Sequence, residues 1–279
     1  MTYKHVIVNA DGDKAFEKRA AFAAGIAESL GTGVTAVYAR LPNPAMAASV
    51  WPALPESDVM DRLTEAHEAE IAAQIATLKP VFEKAAGSVA ADWLELHGER
   101  AASMVVAAQA AGLVVLSQPD HDDPMNYLGR ESVSEIVMRC GRPVMFHPYI
   151  DAKPTFERIL IAWDGSRESV RAMNDATPFM NGAHVLFLTA DEGGPESATV
   201  DRDRLKAYAE AHGATATVDR HGGGGTIRVS DIVMSRAADF GADLVVMGGY
   251  SHSRLRELVL GGTTREILEQ MPVPVMMSH

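Results

Sequence analysis

Short runs of Val, Ile and Leu recur along the chain, each followed by a longer stretch in which apolar positions return every three or four residues. In the second half the runs fall at 158–163, 184–189, 215–219, 244–248 and 273–277. The amphipathic stretches between and around them are 166–181, 197–212, 228–240 and 263–271. Runs without polar alternation predict strands covered on both faces, which is the signature of a parallel sheet. Strand followed by helix, repeated along the chain, predicts a doubly wound α/β fold. The first half follows the same scheme with two additions. These are a Pro/Ala-rich loop from Leu41 to about Pro55 that contains Trp51, and a longer helix from Ser57 to Lys79. The segment Tyr149–Thr155, with Pro148 and Pro154 about it, reads as the link between the halves.

The two halves are copies. His5-Val6-Ile7-Val8-Asn9-Ala10-Asp11-Gly12 and Arg158-Ile159-Leu160-Ile161-Ala162-Trp163-Asp164-Gly165 open alike, 153 positions apart. Leu113-Val114-Val115-Leu116 returns as Leu244-Val245-Val246-Met247 at an offset of 131. The same offset relates Pro143-Val144-Met145 to Pro274-Val275-Met276, and Ser132-Val133-Ser134-Glu135 to Thr263-Thr264-Arg265-Glu266. The first copy therefore carries a net 22 extra residues in its middle. The prediction is a tandem repeat of one Rossmann-like, nucleotide-binding-type fold, as two domains at 1–149 and 154–279.

Composition narrows the function classes. A length of 279 residues is about 1.9 typical domains, and 47% hydrophobic with 22% charged residues is ordinary for a globular chain. The net charge is -12, with 12 basic against 19 acidic residues up to Ile150 and 13 against 18 after it. With no basic block in either half, nucleic acid and anionic membrane are not expected partners. The single cysteine, Cys140, leaves no intrachain disulfide or multi-cysteine zinc site and suits a reducing compartment. No leader pattern opens the chain and no run of 18 apolar residues occurs, so a cytoplasmic location is expected.

Candidate chemistry gathers where strands of the second copy end. Asp164-Gly165 follows its first strand, either as a turn or cap aspartate or as a ligand contact. Gly248-Gly249-Tyr250-Ser251-His252-Ser253-Arg254 leaves the fourth strand, and Leu260-Gly261-Gly262-Thr263 opens the last helix. Glycines allow close approach of backbone to a ligand, and a helix start offers free N–H groups to phosphate oxygens. The alternative is a glycine turn and a capped helix with no ligand. Thr263-x-x-Glu266 reads as a capping box that starts the helix at the second glycine pair. The first copy keeps the matching Ser132-x-x-Glu135 but replaces the strand-exit glycines with Ser117-Gln118 and adds Asp120, Asp122 and Asp123, which would repel phosphate. Nucleotide binding is therefore expected in the second copy. The glycine run after His221 reads as a loop, Cys140 as a buried thiol, and no metal site or catalytic set is recognised.

Asp164 after the first strand, the Gly248–Gly261 loop and the Pro-Val-Met strand that closes each copy resemble the universal stress protein family in its tandem form, over nearly the whole chain. Nucleotide-binding members carry glycine, two residues, glycine, nine residues, then glycine followed by Ser or Thr. Gly248 and Gly261 match the first and third glycines, Ser251 stands at the second, and Gly262 stands at the hydroxyl position with Thr263 one place later. The resemblance implies ATP or AMP binding, with Asp164 on the adenosine part and Gly248, Gly249, Ser251, Gly261, Gly262 and Thr263 about the phosphates; His252 and Arg254, inside the loop, read either as phosphate ligands or as surface residues. Trp163 beside Asp164 reads as core. It also implies a regulatory stress-response role without catalysis, an unidentified protein partner, and pairing of the domains through Val144–His147 and Val275–Ser278 within one chain. A further homodimer stays open. The alternative function is a nucleotide-independent structural or interaction module that has lost binding. A slow ATP hydrolase is less favoured, because no general base is evident.

Overall fold

The computed structural model describes residues 3–43, 57–119, 130–191, 202–222, 228–249 and 262–279. In the first half the order is β1 (His5–Ala10), α1 (Phe16–Ser29), β2 (Gly33–Arg40), α2 (Ser57–Ala86), β3 (Ala91–His97), α3 (Arg100–Ala108), β4 (Leu113–Ser117), α4 (Arg130–Arg139) and β5 (Val144–His147). The second half repeats it as β6 (Arg158–Trp163), α5 (Arg167–Asp175), β7 (His184–Asp191), α6 (Arg202–Ala211), β8 (Thr215–Gly222), α7 (Val229–Phe240), β9 (Leu244–Gly248), α8 (Gly262–Gln270) and β10 (Val275–Ser278).

The strands form one sheet in the order β3-β2-β1-β4-β5-β10-β9-β6-β7-β8. Within each half every pairing is parallel. The halves meet through an antiparallel pair, with Phe146, Met145 and Val144 opposite Val275, Met276 and Met277. The strands of one half consequently run against those of the other, and their carboxyl ends lie on opposite edges of the sheet. The expected intrachain pairing of the two closing strands is present.

The absence of polar alternation in the strand runs is explained by burial on both faces. All five residues of β4 and all four of β5 and β10 are buried. One face carries α1, α2, α5 and α6, with Phe16, Phe22, Ile26, Phe82, Met173 and Leu205 turned inward. The other face carries α3, α4, α7 and α8, contributing Met104, Ile136, Ile232 and Ile267. Each apolar layer runs without a break across both halves.

The boundaries differ from the sequence reading where tertiary burial outweighs local signals. The long helix α2 passes through Pro80 and ends at Ala86 rather than Lys79. A proline inside a helix costs about 3 kcal/mol, and the last turn offsets this by burying Phe82, 1% exposed, against Trp93. The stretch 166–181 divides into α5 and a short 3-10 turn at Thr177–Phe179 that carries Pro178. Residues 44–56, most of the expected insertion, lie outside the described residues.

The link between the halves is anchored on α1. A methyl group at Gly25 would lie 2.5 Å from Cγ of Pro154, so the proline ring occupies the space a side chain would need. Gly25→Ala is expected to cost about 1–3 kcal/mol by overpacking and to lower the thermal midpoint by several degrees. Pro154→Ala in the same chain should recover most of that loss in a thermal melt. A Gly25→Ala protein as stable as the wild type would show that the link moves freely.

Candidate functional site

In each half the strand order reverses direction beside its first strand, between β1 and β4 and between β6 and β9. Ligands of open parallel sheets bind at such a switch point, beyond the carboxyl ends of the strands. The two switch points are built from matching positions but filled differently.

In the first half the crevice is closed by Arg19, whose side chain is fully buried. Its Nε and Nη2 donate to the carbonyl oxygen of Asn9 at 3.2 and 3.1 Å. Nη2 also donates to Asp11 Oδ1 at 2.5 Å, and Nη1 to Asp13 Oδ2 at 2.7 Å and to Ser117 Oγ. The Ser117 hydroxyl donates to Asp13 Oδ2 at 2.8 Å, and Asn9 Nδ2 to Asp11 Oδ2 at 2.6 Å. All five donors of the guanidinium are thus engaged. The cluster joins the end of β1 to the end of β4 across the switch point. Burial pushes the Asp11 carboxyl up to about 6, with Arg19 opposing the rise and Asp13 adding to it. Beside the cluster a cavity of about 10 Å³ is lined by Asn9, Asp11, Arg100 and Ser103 among others. Asn9 Oδ1 and Ser103 Oγ are buried there without a protein partner, and one water would serve both.

At offsets of 153 and 131, the counterparts of Arg19, Asn9, Asp13 and Ser117 are Ala172, Ala162, Ser166 and Gly248. The second crevice therefore has an alanine where the first has its guanidinium. Asp164, the counterpart of Asp11, is exposed at the end of β6. Its Oδ1 accepts from the Ser166 N–H at 2.9 Å, across Gly165 in the left-handed region at φ 76°. Ser166 caps α5, accepting from the Ser169 N–H at 3.2 Å. The turn role weighed for Asp164 is therefore filled. Trp163 beside it packs half-buried against the core, as favoured from the sequence.

The described glycines of the candidate loop have distinct surroundings. A methyl group at Gly248 would meet Glu168 Cβ and Ser169 N at 2.8 Å, so α5 sits directly on the end of β9. That contact requires glycine whether or not a ligand is present. Gly249 lies under Val137 of α4, which a methyl group would approach to 3.1 Å. At Gly262 a methyl group would meet nothing within 4 Å, leaving the hydroxyl position open. Ser251, His252 and Gly261 lie outside the described residues, as does Arg254.

The capping boxes are corrected. Helix α8 begins at Gly262, which places Thr263 inside its first turn. Glu266 does not turn back toward the helix start. It accepts from Arg228 Nη1 at 2.8 Å and from the Ser230 hydroxyl, fastening α8 to the start of α7. In the first half α4 begins at Arg130, Ser132 is inside the helix, and Glu135 pairs with Arg139. A salt-bridge partner one turn or one helix away outcompetes the local backbone in both cases.

Sequence reasoning missed Arg19. Its signal was an arginine on the apolar face of α1, three residues after Phe16, at a position where the other copy has alanine. Among the described residues no group of three or more His, Cys, Asp or Glu could hold a metal ion, and no helix is long and apolar enough to cross a membrane.

Residues 155–279 match the Universal stress protein family. The universal stress protein Slr1230 of Synechocystis sp. is 28% identical over 153 residues, which cover 52% of this chain and 50% of that protein. The chain thus spans about half the length of that relative. A universal stress protein from Archaeoglobus fulgidus DSM 4304 superposes with a TM-score of 0.71 at 16% identity, over 98% of this chain and 94% of its own. A functionally unknown protein from Pseudomonas aeruginosa PAO1 superposes with a TM-score of 0.54 at 13% identity, over 98% and 92%. The latter two likenesses concern the fold.

Two titrations follow from the buried groups. His147, on β5 against Phe22, is lowered to about 4 by burial and by Arg19 and Lys18. Its contribution to stability is present above pH 6.5 and is lost as pH falls through about 4. Asp11 acts in the opposite sense, contributing below pH 3.8 and losing that contribution as pH rises through about 6. Between pH 4 and 6 the two nearly cancel in proton uptake. Relative to the wild type, His147→Phe should gain stability as pH falls through this window, and Asp11→Asn should lose it, each by about one proton in the slope of unfolding free energy. Identical slopes for all three proteins in denaturant titrations would contradict this. Arg19→Ala, which leaves two buried carboxylates unpaired, is expected to cost about 3–5 kcal/mol.

Proposed function

We propose that the C-terminal half of this chain, whose residues 155–279 match the Universal stress protein family, binds an adenine nucleotide, ATP or AMP, and that the chain acts as a regulatory stress-response protein without catalytic turnover. The observation that carries this reading is the asymmetry of the two switch points. The first is occupied by Arg19 and its five hydrogen bonds. In the second the matching positions are Ala172 and Gly248, beside an exposed Asp164. A ligand would meet a fully paired guanidinium in the first crevice, whereas the matching position of the second is an alanine. In this reading the halves are domains, 1–149 as scaffold and 154–279 as the binding unit, and the protein works in the cytoplasm.

The residues of the second crevice fit such a ligand. Asp164 stands exposed at the end of β6, where the resemblance places the adenosine part. The open space at Gly262 lets a phosphate come against the start of α8, whose free N–H groups favour negative charge. Bound there, a nucleotide would supply charge and bulk for a partner protein to read, which is a regulatory role.

A second reading is favoured by Gly248. Because α5 requires a glycine at that position for packing, retention of this glycine is also consistent with an interaction module that no longer binds nucleotide. Slow ATP hydrolysis is the least supported reading. It would need a turnover above background that disappears in Asp164→Ala.

Calorimetric titration with ATP and with AMP separates the first two readings. Binding in the micromolar to millimolar range is expected, and silence at millimolar nucleotide would overturn the proposal in favour of the interaction module. Gly262→Ser restores the missing hydroxyl into open space and should tighten binding by about tenfold, the worth of one charge-assisted hydrogen bond. Gly248→Ala is a poor probe of binding, because it disturbs α5 first.

A further inference from the structure

We propose that the N-terminal half fixes the exit of β9 at Gly249 through Val137, which makes Val137 a positioning residue supplied by the half that does not bind. The proposal rests on the nucleotide reading for its functional part and on Gly249 for its structural part.

Gly249 is the last described residue before the loop, and it is held from three sides. Its N–H donates to the Ser278 carbonyl oxygen at 2.9 Å, which ties it to β10. Its own carbonyl oxygen lies 3.0 Å from His279 Nδ1. The third side belongs to the other half of the molecule. The Cα of Gly249 faces Val137 of α4, and a methyl group on it would come within 3.1 Å of Val137 Cγ1. Val137 is 2% exposed and sits in the apolar layer shared by α4 and α8.

The contact has a reciprocal partner. Gln118, which occupies in the first half the position of Gly249, donates from Nε2 to the carbonyl oxygen of Glu269 on α8 at 3.2 Å. Its Oε1 accepts from the Tyr149 N–H at 3.1 Å. Each half therefore rests the exit of its fourth strand on the last helix of the other. On the C-terminal side a glycine lies under a valine, with no room for a methyl group between them. A shift of α4 by a few tenths of an ångström must move the strand exit, because close-packed interiors transmit displacement. The N-terminal half is thus mechanically joined to the candidate site without touching a ligand. This gives a closed copy a reason to be retained.

The test exchanges one methyl group across the seam in the full chain. Gly249 is not among the glycines with positive φ, so alanine suits its backbone. Gly249→Ala alone presses on Val137 and should speed amide exchange at position 249 and weaken ATP binding by about tenfold. Val137→Ala in the same chain removes the opposing methyls, and the double variant should return both readouts to near the wild-type values. Equal effects of Gly249→Ala with and without Val137→Ala would overturn the brace. If Gly249→Ala fails to fold, Val137→Ile under an unchanged Gly249 has to reproduce its faster exchange, and wild-type exchange there would equally overturn it. If the wild type binds no ATP, the nucleotide reading falls while the exchange data still decide the brace.

Discussion

Three residue pairs between β5 and β10 make two parallel sheets into one. The rest of the architecture depends on this antiparallel seam. It reverses the strand direction between the halves, so the two crevices open on opposite edges. It brings the last helix of each half against the fourth strand of the other, which creates the Val137–Gly249 and Gln118–Glu269 contacts. It also lets the two apolar layers run from β3 to β8 without interruption. A closing strand of only four residues serves this purpose because both of its neighbours are within the same chain.

The copies have diverged by the charge they bury rather than by fold. Arg19 with Asp11, Asp13 and Ser117 fills the switch point of the first half with a side chain. Where the second half has small residues, the first has an ion cluster that satisfies itself. Buried charge of this kind adds little net stability compared with apolar packing, since desolvation consumes much of the attraction. Its effect is selective. It fixes the ends of β1 and β4 relative to each other and denies the crevice to anything else.

Strand runs and repeat offsets were legible because burial on both faces leaves an unmistakable apolar run. The strands Arg158–Trp163 and Leu244–Gly248 fall where those runs fall. Helix ends were less legible because they answer to distant partners. Glu266 had the spacing of a capping box, yet its carboxylate goes to Arg228 and Ser230 on another helix. Pro80 looked like a stop until Phe82 and Trp93 are placed together. At the candidate site the turn role of Asp164 was legible from its place before a glycine, but the structural duty of Gly248 was hidden, since only the approach of α5 reveals it. Arg19 escaped notice because a single arginine in an alanine-rich helix has no local signature of burial.

The duplication also changes how many raw sheet margins the molecule shows to its surroundings. Two free five-stranded halves would present four margins, two of them the strands Val144–His147 and Val275–Ser278, whose first three residues are apolar. Joined in one chain, the described strands have β3 and β8 at the rim. Those outer strands are punctuated by charge, with Asp92 and Glu95 on one and Asp219, paired to Arg236, on the other. Unpaired backbone at a sheet margin invites further strands, and charge there discourages them. Fusion of the copies has therefore converted the two stickiest surfaces of the fold into its centre.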